Sequence, residues 1–179
     1  FKYAPASMSS GVEYKSYGVN ARLFLRTSLN TTMTVRVNGF TTEGGMPLQM
    51  LYSLPGNINA TAQNQSFRTL DLGEYSGDRG WMVFVDQNLG NLPFRLLGIS
   101  ALKKLNVQFN AFVNAGMIEY NQATSDLYPW GIKRLAAPLY EAGFGVSTQL
   151  MPVRIDFGWR LTQVGDRPFR IGLNTVIIL

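Results

Sequence analysis

Val153-Arg154-Ile155-Asp156-Phe157-Gly158-Trp159-Arg160-Leu161 decides the fold. Its odd positions are all apolar, and its even positions hold two arginines and an aspartate among four residues. Side chains along a strand point alternately to opposite faces, so this is a strand with one apolar and one charged side. The same period spreads outward from it. Downstream, Phe169, Ile171, Leu173, Thr175, Ile177 and Leu179 alternate with Arg170, Gly172 and Asn174. Upstream lie Tyr140, Ala142, Phe144 and Val146, and before them Val107 to Met117, in which Phe112 alone breaks the polar side. Near the start, Tyr17 to Leu25 alternates with Arg22 and Arg26 opposite, and Met33, Val35 and Val37 alternate with Thr34, Arg36 and Asn38.

These runs predict strands longer than the usual five or six residues and close to the roughly 9 to 11 that a tilted strand needs to cross a bilayer. Arg22, Arg26, Arg36, Arg154, Arg160 and Arg170 all fall on the polar faces. A packed barrel interior would leave such charges unpaired, whereas a water-filled lumen accommodates them. The expectation is an all-β, antiparallel transmembrane β-barrel of about eight strands, with these arginines toward the lumen. The inside-out alternative is a soluble barrel with its arginines in solvent. Wide apolar faces and strand-end aromatics such as Tyr14, Tyr17, Tyr140 and Trp159 weigh against it.

Composition narrows the function. The 179 residues include 16 Lys+Arg and 11 Asp+Glu, a net charge of +5, with neither cysteine nor histidine. Thiol and imidazole catalysis, disulfides and Cys/His metal sites are excluded. No catalytic residue, cofactor or metal ligand is expected, and no small-molecule substrate. Gly143-Phe144-Gly145 lies within an alternating strand, not between a strand and a helix, so it is not a dinucleotide fingerprint. The arginines are spread one or two per strand, a poor pattern for nucleic acid. Phe1 follows no signal-peptide pattern, and the chain reads as a mature protein or a piece of a longer one. All 179 residues form one domain, with long loops at about 55–80 and 119–138. Ile132, Leu135, Ala136 and Leu139 suggest at most one helical turn in the second.

The first loop ends in Gly73-Glu74-Tyr75-Ser76-Gly77-Asp78-Arg79-Gly80-Trp81. With Phe112-Val113-Asn114-Ala115-Gly116, the Gly143-x-Gly145 strand leading to Arg154-x-Asp156, and a last strand carrying Arg170-x-Gly172, the order resembles the BamA, TamA and FhaC superfamily of outer-membrane barrels, the bacterial surface antigen family. The resemblance covers about residues 70–179. It implies an inward-folded loop whose motif arginine contacts the barrel wall, here Arg79 with Gly80 and Trp81. Asn114 stands where that family has aspartate, so Glu119 or Asp156 would be alternative wall partners. Arg170, Gly172, Ile177 and Leu179 are similar to the terminal assembly signal.

The resemblance also implies that the chain is the C-terminal half of a barrel of about sixteen strands, since an eight-stranded piece of it would leave edges unpaired in lipid. The alternative is a complete small barrel. The implied function is assembly or translocation of other outer-membrane or exported proteins in a Gram-negative bacterium. Its partners would be outer-membrane lipid and protein clients or envelope-complex subunits. A passive pore, a structural accessory barrel, or the anchor of a separate upstream domain are the other readings.

Overall fold

A computed structural model describes residues 2–4, 13–28, 31–57, 61–62, 66–99, 106–128, 133, 135–148, 151–162 and 168–175. Among them, seven long strands follow the alternating runs: β2 (Tyr14–Ser28), β3 (Thr31–Gly44), β7 (Arg79–Gly90), β8 (Val107–Glu119), β9 (Leu139–Thr148), β10 (Met151–Arg160) and β11 (Phe169–Thr175). Short strands β1 (Lys2–Ala4), β4 (Tyr52–Ser53), β5 (Thr61–Ala62) and β6 (Ser76–Gly77) complete the set. The main sheet has the order β1-β2-β3-β7-β8-β9-β10-β11-β5. Every long neighbour in it pairs antiparallel, and only the two-residue β5 runs parallel, beside Leu173 and Asn174 of β11. The protein is therefore mostly antiparallel β-sheet. Among the described residues the sheet is open: β2 and β11 stand toward opposite ends of it and do not pair.

Register keeps the two faces separate across all seven long strands. One row runs Arg22, Arg36, Phe84, Asn114, Glu141, Arg160, and the next runs Phe24, Thr34, Asp86, Phe112, Gly143, Gly158, Arg170. A slip of one residue would exchange the faces, so the pattern itself fixes the pairing. The opposite face carries Val19, Leu23, Val113, Ile155, Ile171 and Leu173, all exposed, with Val113 54% accessible. Tyr17, Trp81, Tyr140, Trp159 and Phe169 on that face gather at one end of the sheet, beside the long connections.

The core lies on the polar side. Between β3 and β7, residues 66–75 lie across that face. Phe67, Leu70 and Tyr75 of this segment, together with Leu54, pack against Met82, Phe84, Ile118 and Leu139 of the strands and against Leu135. The Phe67 and Phe84 rings meet edge to face at 5.2 Å.

Gly44-Gly45 separates two alternating runs in the sequence as a hairpin turn would, but β3 ends at Gly44 and its antiparallel neighbour β7 begins only at Arg79. The second long connection carries its helix at Gln122–Leu127, earlier than the spacing of Leu135 and Leu139 suggested. Asn121 caps it by accepting from the Thr124 amide at 2.7 Å. Ile132, Ile177 and Leu179 lie outside the described residues. None of the described helices is long and apolar enough to cross a membrane.

Candidate functional site: a loop pinned to the polar wall

Phe67, Arg68, Thr69 and Leu70 are the centre of the inner segment. Each is buried, and Arg68 is 1% exposed. Its guanidinium donates through Nη2 to Asp86 Oδ1 at 2.9 Å and through Nε to Asp156 Oδ2 at 3.4 Å, while Nη1 donates to the Ser66 carbonyl at 3.0 Å. Its plane lies over the Phe112 ring, 4.1 Å from the centroid. Phe112, the one break in the polar alternation of β8, is thus the platform for a buried cation. Stacking of this kind contributes about 2 kcal/mol when desolvated.

Glu141 of β9 holds the backbone of the same turn. It is fully buried and accepts from the amides of Arg68 and Thr69 at 2.9 and 2.6 Å, from Thr69 Oγ1 at 2.6 Å, and from Asn114 Nδ2 at 2.8 Å. The wall reaches the other way as well. Arg160 donates to the Thr69 carbonyl at 2.6 Å and forks onto both oxygens of Glu74 at 3.1 Å, and Arg170 donates to the Leu70 carbonyl at 3.1 Å and to Asp71 at 2.8 Å. Wall acids hold loop donors, and wall arginines hold loop acceptors. Buried charges persist when close pairing and further hydrogen bonds offset the loss of water.

Arg154 closes the arrangement. Its Nη2 donates to Asp156 Oδ2 at 3.0 Å and its Nε lies 2.6 Å from Asp156 Oδ1. Asn174 of β11 adds a third donor to Asp156 Oδ2 at 3.3 Å. Glycines make the room. A Cβ at Gly143 would run into the Phe157 carbonyl and lie 2.5 Å from the Phe112 ring, and one at Gly158 would crowd Arg68 Cβ at 3.2 Å.

In Glu74 burial pushes the carboxyl up, but hydrogen bonds from Arg160, the Asp71 amide and Lys133 outweigh it. The net position is below the ordinary 4.5. In Lys133 burial pulls downward and the hydrogen bond and charge of Glu74 prevail, raising it above 10.5.

The residues expected as an inward motif stand elsewhere. Arg79 opens β7, where alternation turns its side chain away from the covered face; it is 50% exposed and pairs with Glu119 at 3.3 Å. Gly80 is within β7, against the Met117 carbonyl, and Trp81 is exposed on the apolar face. The inward arginine is Arg68. Of the proposed wall partners, Asn114 and Asp156 lie beneath it, and Glu119 remains at the strand end.

Arg22, Arg26, Arg36, Arg154, Arg160 and Arg170 share the polar face by register. Of these, Arg154, Arg160 and Arg170 join the segment's network. Gly172 is buried on the same side. Sequence reading passed over Arg68, Asp86 and Glu141.

Among the described residues, the cluster's charges pair with one another. Among the described residues no group of acids is arranged to hold a metal ion. What it does chemically is clamp a loop. Comparison with protein-family models and with curated proteins gives no match for this chain.

Proposed function

We propose that the chain is part of a β-barrel of the bacterial outer membrane, and that it serves the insertion or export of other proteins rather than an enzymatic reaction. The opposition of the two faces carries this reading. One side of the seven long strands carries exposed apolar side chains, Val19, Leu23, Val113, Ile155 and Ile171 among them, with an aromatic row at one end like the girdles of membrane barrels. The other side holds a charged, loop-filled interior. Water would penalise the first face and lipid the second. The open sheet edges in this reading are completed by further strands, as lipid tolerates no unpaired backbone. Outer-membrane lipid and protein clients are the partners.

Depletion of the protein in its host, with the folded fraction of other barrel proteins read by heat-modifiable gel mobility, tests the role. The expected result is accumulation of unfolded barrels, restored by the wild-type chain but poorly by Glu141→Gln. Unchanged folding of every other barrel would refute the assembly role and leave a passive or structural one.

A further inference from the structure

Charge on the polar face is unevenly shared. On β7 to β11 the arginines Arg154, Arg160 and Arg170 are matched by Asp86, Glu141 and Asp156, and all six engage the inner segment or its neighbours. On β2 and β3 that face carries Arg22, Arg26 and Arg36 and no carboxylate. Arg22 and Arg36 are direct cross-strand partners. Like charges so placed oppose the pairing of their strands. Arg22 is held on the face by its own strand, its guanidinium carbon 4.3 Å from the centroid of the Phe24 ring. Arg36 is half-buried, and its Nε is buried without a hydrogen-bond partner. Arginines meant only for solvent would not shield a donor in this way. Asn20 and Asn38, opposite each other one same-face step along, add amide donors.

We propose that Arg22 and Arg36 form a binding site for a phosphoryl-type oxyanion on the polar wall, with Asn20 and Asn38 as neutral donors. Two guanidinium forks on adjacent strands suit a tetrahedral dianion, which accepts from both and cancels their repulsion. Free phosphate and a lipid phosphomonoester share this chemistry. The site stands on the β2–β3 register alone and does not depend on the barrel reading.

The test is calorimetric titration of the full chain in detergent micelles with inorganic phosphate at constant ionic strength, and separately with micelles doped with phosphatidic acid. Arg22→Gln/Arg36→Gln is the comparison. Neither arginine supplies one of the hydrogen bonds described above that pin the loop, and heat resistance on gels equal to that of wild type verifies that the double variant is folded. Saturable binding of phosphate, weakened roughly tenfold or more in the variant, supports a free oxyanion as ligand. Saturable binding of phosphatidic acid alone, equally lost in the variant, supports the site with lipid as its source. No saturable binding of either, or equal binding by both proteins, overturns the proposal.

Discussion

Glu141→Gln would release the inner segment from the wall. The carboxylate receives four donors, two on each oxygen. A glutamine carbonyl placed at the Oε2 position keeps Thr69 N and Oγ1, but its amide then faces the Arg68 amide and Asn114. Asn114 can turn its Oδ1, which has no partner, toward the new amide. The Arg68 amide cannot turn and is left unsatisfied, at about 1–3 kcal/mol. The surviving bonds lose their charge assistance, and the buried arginines lose a counter-charge. Together these come to about 3–5 kcal/mol, the usual cost of breaking a buried charge network. At about 1.4 kcal/mol per factor of ten, loop opening becomes on the order of 10² to several times 10³-fold more frequent. Hydrogen exchange at the Arg68 and Thr69 amides reads this directly. Protection reduced by less than about fivefold, or lost equally throughout the strands, would refute the claim that Glu141 pins this turn locally.

Other outcomes follow from the same contacts. Arg68→Lys keeps the charge but loses the fork between Asp86 and Asp156 and most of the Phe112 stacking, so loop protection should fall by about 2–4 kcal/mol in the same exchange measurement. Asn114→Asp sets a second carboxylate against Glu141 where the amide now donates at 2.8 Å. The Tm by circular dichroism should fall below that of wild type, and Asn114→Ser should be milder. For Glu74 the folded position is depressed below 4.5, so its contribution is fully present above that value and is lost as pH falls through the lower, folded one. The Tm difference between wild type and Glu74→Gln should thus hold constant at neutral pH and shrink below about 4.5.

The strands were legible because a period of two is imposed by the backbone itself, and residues such as Val153 to Leu161 repeat it without a break. The polar arginines were legible for the same reason. The grip on the loop was not. Arg68 sits in a segment with no period, where nothing local separates a buried arginine from a solvated one. Its burial is set by Asp86, Glu141 and Asp156, which lie 18, 73 and 88 residues from it or from its amide along the chain. Arg79 carried the stronger local sign, a following glycine and aromatic, yet it falls at a strand's first position with Glu119 beside it. Phe112 was the overlooked clue: an aromatic on a polar face needs something to cover it.

Lipid contact by the apolar face is the claim on which the account rests. Tryptophans occur at three positions, and Trp81 and Trp159 are exposed on that face. The measurement is fluorescence quenching of the Trp130→Phe protein, reconstituted in vesicles, by lipids brominated along the acyl chain and by aqueous iodide. Strong quenching by the brominated lipid with little by iodide is the predicted result. Quenching by iodide with none by brominated lipid would contradict a membrane-facing sheet.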